Sequence, residues 1–318
     1  MQEHITVIYH LKGLINKVNR FLCYSVCFLG FSVGLYAQSK FDAFLTPSDT
    51  LNISRRNTVL ITESIMATST LLALNELWYA DYEQSNFKTL DDSGEWLQLD
   101  KMGHMYSSYH LGRLGAQALK WSGVPKQEQL MYGATLGLGF LTAVEVMDGF
   151  SEEWGFSWTD MAANAAGTGL YIGQDLLWNE QRLLLKYSFH QTKFAAQRPD
   201  QLGNGLTEEF LKDYNGQTYW LSANINSFLK TEGIPNWLNV AFGYGADGML
   251  TGEAQDPLFL NQNRQRQYYL SLDVDLSRIK TNSHLLKTLF DVFNLIKIPF
   301  PTLQLNGDGR IKWHYIYF

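Results

Sequence analysis

Two periodicities divide the chain. Across residues 58–180 apolar side chains recur every three or four positions, which predicts helices with one buried face. After Glu180 the period becomes two, as in residues 268–279, where apolar and polar side chains alternate strictly. A helical run followed by a run of strands is typical of an α+β protein with an antiparallel sheet.

The first half predicts four helices. Glycine and alanine recur there at four-residue spacing, as in Gly133 with Gly137 and Gly169 with Gly173, and this spacing lets helix backbones approach closely. Ser157 or Thr159 is suited to cap the last of these helices. We therefore expect an apolar four-helix bundle, with helices at 58–82, 98–122, 126–150 and 158–180.

The second half predicts about five strands and one amphipathic helix, at 283–296. Five strands are fewer than the eight of the smallest bacterial barrels, so a partial barrel or curved sheet is expected rather than a complete barrel. Asp273 and Asp275 fall on one strand face, where they are expected to be solvated or lumenal rather than catalytic. The predicted strands cover 183–190, 218–228, 237–249, 268–279 and 310–318.

The N-terminus reads as a secretory signal over residues 1–37. Lys17 and Arg20 form its positive region, 21–36 its apolar core, and Ala37 its cleavage site. A membrane anchor is the alternative, although the apolar run is short for a span. The predicted domains are then a linker at 38–57, the helical bundle at 58–180 and the β region at 181–318.

Composition places the mature chain in the cell envelope. Charged residues make up only 18% of the sequence and aromatics 14%, a balance that suits a membrane interface. The net charge is −6, and no basic run is present, which argues against nucleic acid as a partner. Both cysteines, Cys23 and Cys27, lie in the signal segment, so we expect no disulfide or cysteine-ligated metal after cleavage.

Ionisable residues interrupt the apolar helical patterns in a fixed order. Asp100 and His104 share a helix face, Glu145 and Asp148 follow an apolar run, and the last helix carries a further acid and amide. Such groups are costly to bury unless they are paired or coordinate an ion. The set predicts a buried polar site, and it consists of Asp100, Lys101, His104, Glu145, Asp148, Asp160 and Asn164.

Two interpretations of this site stay open. In the first, the residues form a structural or partner-binding network that fixes helix packing, with or without a structural metal; Asp160 would then be an ordinary helix cap. In the second, His104, Glu145 and Asp160 bind a divalent metal such as zinc or manganese and Asp148 acts as a base, giving a hydrolase for lipid or cell-wall substrates. Asp100, Lys101 and Asn164 complete the network in either case.

The ordered motifs carry a family resemblance. Asp-Lys-x-x-His at 100–104, Glu-x-x-Asp at 145–148 and Ser-x-x-Asp-x-x-x-Asn-x-x-Gly at 157–167 resemble a family of predicted periplasmic lipoproteins of unknown function. They are more remotely similar to VanZ-like membrane proteins, and the strand-rich half resembles envelope proteins of Bacteroidetes-type bacteria. The lipidation cysteine of the lipoproteins is missing here. The resemblance implies an exported protein of the periplasm or outer membrane, and the expected partners are the outer membrane and another envelope protein.

Overall fold

The computed structural model describes residues 35–80, 82–253, 256, 259 and 263–318. The predicted signal peptide lies almost entirely outside these residues. Six α-helices of the described chain lie before residue 179, and four lie after it. They are α1 (Leu35–Leu45), α2 (Ile53–Leu74), α3 (Leu99–Trp121), α4 (Lys126–Glu128), α5 (Leu136–Gly149), α6 (Trp158–Trp178), α7 (Pro199–Leu202), α8 (Leu206–Lys212), α9 (Ile225–Leu229) and α10 (His284–Phe293).

The strands form two sheets among the described residues. A short parallel pair joins β1 to β2, and a six-stranded antiparallel meander runs in the order β3-β4-β5-β6-β7-β8. The mixed α+β class is thus confirmed. The strands are β1 (Thr89–Leu90), β2 (Phe156–Ser157), β3 (Leu183–Phe189), β4 (Gln217–Asn224), β5 (Leu238–Asp247), β6 (Gln265–Val274), β7 (Phe300–Asn306) and β8 (Ile311–Tyr317).

By backbone contacts the chain divides into two compact units. The described residues up to Thr46 form the first with Thr281–Thr288, where Asp42 accepts hydrogen bonds from Ser283 Oγ and Leu285 N. The second unit holds Pro47–Lys280 and Leu289–Phe318, and therefore most of the helices and both sheets.

Two strand predictions need correction. The strand expected at 218–228 ends at Asn224, because the Asn224 side chain accepts a hydrogen bond from Ser227 N at 2.9 Å and caps helix α9. Strand β7 was not predicted, because a proline such as Pro301 normally ends regular structure. Pro301 lies where the β7–β8 register shifts, and a bulge tolerates its missing N–H.

Helix α3 connects the helical layer to the sheet. It packs against α5 and α6 on one side, while Leu99 shares a hydrophobic core with Tyr187 and Tyr219 of β3 and β4. The helices therefore do not bury their apolar faces only against one another. Helix α3, which carries the first motif of the predicted site, lies between the other helices and the sheet.

The sheet has an inverted polarity. Its polar face is buried: Lys186 Nζ lies 2.8 Å from Asp273 Oδ2, and both side chains are fully buried. Asp275 is also buried and pairs with Arg278 at 3.1 Å. Neither aspartate is solvated, because the strands turn their polar residues inward and leave many apolar residues exposed.

The sheet is strongly curved. Thr218 Oγ1 of β4 lies 3.0 Å from Tyr317 OH of β8, although the two strands are four positions apart in the sheet. In a flat sheet this separation would be about 19 Å, far beyond the reach of the two side chains. The curvature brings the polar side chains of distant strands together in one network.

Close packing of α3 on α6 gives a stability prediction. A Cβ at Gly167 would overlap the Met105 carbonyl oxygen of α3, whereas a Cβ at Gly169 would meet nothing within 4 Å. We expect Gly167→Ala to lower the free energy of unfolding by about 2–3 kcal/mol through overpacking. Gly169→Ala, the matched control, should raise it by up to about 1 kcal/mol through helix propensity. Urea unfolding of both variants measures the difference, and equal effects would contradict the close contact.

Candidate functional site

Pairing of β1 with β2 assembles the first part of the site. Leu90 lies opposite Ser157 in this parallel pair, and the register brings Asp92 to the start of helix α6. Ser157 Oγ donates to Asp92 Oδ1 at 2.6 Å and accepts from Asp160 N at 3.1 Å, so Ser157 caps α6 as predicted. The same hydroxyl thus links a loop carboxylate to the helix that carries Asp160.

A left-handed turn sets the start of helix α3. Non-glycine residues in this conformation cost about 1 kcal/mol or more each, so the surrounding structure must hold them. Tyr244 OH donates to Leu97 O, and Arg266 Nη2 donates to Gln98 Oε1 at 2.8 Å. Strands β5 and β6 therefore fix the helix end that presents Asp100 and Lys101. The turn residues are Trp96 (φ 46°), Leu97 (φ 52°) and Gln98 (φ 67°).

Lys101 joins three carboxylates from three segments. Its Nζ lies 2.5 Å from Asp92, 2.9 Å from Asp100 and 2.9 Å from Asp160, and its side chain is only 12% exposed. Burial alone would raise the pKa of Asp92, but the hydrogen bonds from Lys101 and Ser157 hold it well below its usual range. The ammonium compensates part of the negative charge that the site buries.

His104 faces a group of carboxylates. Its Nδ1 lies 3.2 Å from Asn164 Oδ1, and with that oxygen as the acceptor Nδ1 carries the proton in the neutral ring. Nε2 lies 3.9 Å from Asp100, 3.7 Å from Glu145 and 4.0 Å from Asp160. These distances are too long for hydrogen bonds. Burial lowers the pKa of His104, but the three carboxylates outweigh it and raise the pKa above its ordinary value.

Glu145 and Asp148 lie one turn apart on α5. Glu145 is almost fully buried and accepts from Ser157 N at 3.0 Å; its burial raises its pKa to about 7. Asp148 accepts from Tyr79 OH at 2.6 Å, and burial raises its pKa to about 6. Both acids therefore titrate close to neutral pH, where a proton acceptor is useful.

Asp160 has the most strongly raised pKa among these acids. Its burial, followed by the charge of Asp100, raises its pKa to about 8. Around Lys101 and His104 the site gathers five carboxylates, more negative charge than one ammonium can compensate. Asn164 is neutral and does not change this charge balance, and its Nδ2 is a buried donor with no hydrogen-bond partner in the described chain. A cation or several protons must make up the difference. The five acids are Asp92, Asp100, Glu145, Asp148 and Asp160.

Three of these residues have the arrangement of a metal site. One ligand atom from each of Asp100, His104 and Asp160 lies within 4.8 Å of the others. Two ligands of one ion at about 2.1 Å are about 3.4 Å apart in tetrahedral geometry and about 4.2 Å apart when opposite, and the distances from His104 Nε2 to Asp100 and Asp160 lie between these two values. Asn164 would orient the imidazole, as hydrogen-bonded partners of metal-binding histidines do. Glu145 stands beside this group, at 3.7 Å from Nε2.

A cavity reaches the site. Its volume is about 360 Å³, and Asp100 and His104 line it together with aromatic residues of α3 and the sheet, among them Tyr106, Tyr187 and Tyr219. Tyr214 OH also lines the cavity and donates to Asp100 Oδ1 at 2.9 Å. The site is thus open on one side to a largely apolar space that would admit a small molecule or part of a larger one.

Several site residues gave no signal in the sequence. Asp92 lies in the stretch that reads as a turn, Tyr214 in a stretch that reads as a strand-initiating turn, and Tyr79 on an apolar helical pattern. Their roles depend on contacts between residues far apart in the chain, such as Tyr79 and Asp148, which are 69 positions apart. The predicted seven residues all lie in or beside the site, but their partners could not be read from local spacing.

Comparison with known proteins covers this same region. Residues 88–173, just over a quarter of the chain, match the family described as Predicted periplasmic lipoprotein (DUF2279). The site is built on the part of this chain that resembles that family. The match supports an exported, periplasmic protein of unknown activity, as the ordered motifs imply. No curated protein and no solved structure matches the chain.

Proposed function

We propose that this protein is an exported envelope hydrolase that uses one divalent cation held by Asp100, His104 and Asp160. The observation that carries the proposal is the placement of His104 Nε2 at the wall of a cavity, with one ligand atom of Asp100 and one of Asp160 close to it, all within 4.8 Å of one another. A structural metal site is closed, whereas a catalytic one keeps a position open to substrate. Zinc or manganese suits this mixture of nitrogen and oxygen ligands.

The residues around the cation have distinct parts in this proposal. The cation would supply a bound water of lowered pKa and polarise a substrate oxygen. Asp148, with a pKa of about 6, is the proposed base, and Tyr79 orients it through the 2.6 Å hydrogen bond. Glu145 extends the ligand set beside Nε2, and Asn164 holds the imidazole in place.

The cavity supports the substrate class. Its aromatic and aliphatic lining, which includes Leu141, Phe210 and Leu211, suits the apolar part of a lipid or a lipid-linked cell-wall molecule. We propose the outer membrane as the place of action, with an envelope protein as a further partner. The relation to VanZ-like membrane proteins and the Bacteroidetes-type assignment remain predictions from the ordered motifs.

A second candidate is the non-catalytic network. Lys101 already neutralises part of the charge of Asp92, Asp100 and Asp160, and a site in which protons supply the rest would need no metal. The residues would then fix the packing of α3 on α6 and the β1–β2 pair. The two candidates differ in whether the purified protein holds an ion.

Elemental mass spectrometry of the purified mature protein separates the two candidates. We expect close to one zinc or manganese per chain, lost in the His104→Ala, Glu145→Gln double variant and in Asp160→Asn. Glu208→Gln is the matched control, because Glu208 is an exposed acid whose polar contacts are with Asn204 and Lys212 and not with the proposed ligands, so it should leave the metal content unchanged. Absence of metal from the wild-type protein, also after incubation with zinc or manganese, would reject the hydrolase and favour the network.

A further inference from the structure

The exposed face of the sheet forms an unbroken apolar surface. Five side chains occupy successive register positions across five strands, each the direct partner of the next. They are Leu221, Phe242, Leu270, Leu303 and Trp313, and each is between 37% and 55% exposed. We call this row, together with the second row of residues described next, the apolar face.

A second row continues the surface. Tyr268, Leu305 and Ile311 are aligned on β6, β7 and β8, and all three are exposed. Neither row contains a charged side chain, although the strands carry buried charges on their other face. A sheet of a water-soluble protein has the reverse arrangement, with apolar residues toward the core and polar residues toward solvent.

We propose that the apolar face contacts the acyl chains of a lipid bilayer. Protein–protein interfaces need hydrogen bonds and a polar rim, about one hydrogen bond per 100–200 Å², and the two rows offer almost no side-chain donor or acceptor for them. Hydrocarbon needs neither, provided that the backbone is paired within the sheet. The inward-facing polar network satisfies the other side of the strands, so the sheet loses no polar contact with water when lipid covers this face.

The dimensions agree with a bilayer. Strands β5 and β6 have ten residues each, the length of a membrane-spanning β-strand, and at one end Tyr244 and Arg266 contact Leu97 and Gln98. Tyr315 lies on the last strand outside both rows, and such aromatic side chains favour the membrane–water boundary.

A separate element of the same unit supports the same occupant. Helix α2 is 22 residues long, and only 6% of its most apolar stretch is buried. Ile61, Ile65 and Leu72 are exposed along it. Two segments, Ile53–Leu74 and Lys126–Gly149, are long and apolar enough to cross a membrane by length and composition. A bilayer covers a helix and a sheet face alike, whereas a single protein partner would need a complementary shape for each. The inference rests on the proposed envelope location and on neither the metal nor the reaction.

Two adjacent residues of the edge strand test the proposal. Ile311 lies on the apolar face, and Lys312 is an exposed neighbour that pairs with Gln304 of the opposite, polar face. The mature chain has no cysteine of its own, so Ile311→Cys and Lys312→Cys each give one site for an environment-sensitive fluorophore. The labelled proteins are mixed with vesicles of phosphatidylethanolamine and phosphatidylglycerol, with or without nitroxide groups on the acyl chains.

We expect vesicles to shift the emission at residue 311 to the blue and acyl-chain nitroxides to quench it at least twofold more than at residue 312. Equal quenching at both positions, or none at either, would overturn the proposal. A blue shift at residue 311 without nitroxide quenching, together with dimers in sedimentation, would also overturn it and assign the face to a second copy.

A double variant measures the binding itself. The substitutions Leu270→Gln and Leu303→Gln together remove apolar contact at the centre of the first row and should weaken vesicle binding about tenfold or more. Unchanged binding in vesicle flotation would count against the apolar face. Metal content is measured without lipid. A failure of the membrane-contact proposal can therefore be distinguished from a failure of the hydrolase proposal.

Discussion

Replacement of Lys101 by methionine is expected to lower the free energy of unfolding by about 3–5 kcal/mol. The ammonium is the shared partner of Asp92, Asp100 and Asp160, and methionine fills its space without its charge. Three carboxylates would then lie together with no cation between them. Urea unfolding of metal-free protein at pH 7.5 measures the loss.

Lys126→Met is the matched control for this substitution. Lys126 also pairs with an aspartate, Asp175, but its side chain is 48% exposed. Exposed ion pairs contribute about 1 kcal/mol or less, so this variant should remain close to wild type. The loss at Lys101 should also shrink at pH 5, because protonation relieves the repulsion between the carboxylates. Equal losses in the two variants, or a loss at Lys101 that does not change with pH, would contradict the buried network.

The metal-free protein is expected to become less stable as the pH rises from about 4 to about 8. Burial raises the pKa of Asp160 to about 8, of Glu145 to about 7 and of Asp148 to about 6. The unfolded chain ionises such groups near pH 4, so between these values the folded state binds more protons. Their stabilising contribution is complete below pH 4 and is lost as the pH passes the folded values. The slope is about 1.4 kcal/mol per pH unit for each extra proton.

A bound divalent cation should remove most of this pH dependence. The ion takes the place of the protons, and at a thousandfold excess over its dissociation constant it adds about 4 kcal/mol of stability. Thermal unfolding at pH 5 and pH 7.5, with chelator or with zinc, gives the four values needed. Asp160→Asn should flatten the metal-free profile and abolish the gain from zinc, while Glu208→Gln should change neither. A metal-free profile that rises between pH 5 and pH 7.5 would refute the assigned shifts.

The sequence predicted the approximate positions of the helices because their signals are local, whereas the expected four-helix bundle is not confirmed. The spacing of Asp100 from His104 and of Asp160 from Asn164 places each pair on one helix face, and the structure brings both pairs into one site. The contact between the pairs is not local: Lys101 reaches Asp160 across 59 residues. Helical periodicity shows which residues share a face and leaves open which two faces meet.

The β half was predicted less completely, for a physical reason. Alternation in β6 separates Leu270 and Leu272 from Ser271 and Asp273, but it does not say which set faces the interior. The usual assumption buries the apolar set, and here Asp273 is fully buried while Leu270 is 44% exposed. Strand β7 was missed because Pro301 normally ends regular structure, and only the register shift beside β8 explains its place.

The distance along the chain between Asp100 and Asp160 would determine when the proposed site could acquire its ion. Exported chains cross the inner membrane unfolded, and in that state Asp100 and Asp160 are 60 positions apart along the chain, with no preformed site between them. Binding must therefore follow folding on the far side of that membrane. The ions free in the periplasm, and not those that the cytoplasm buffers, would then determine which metal the site holds, with copper the strongest competitor for its nitrogen ligand.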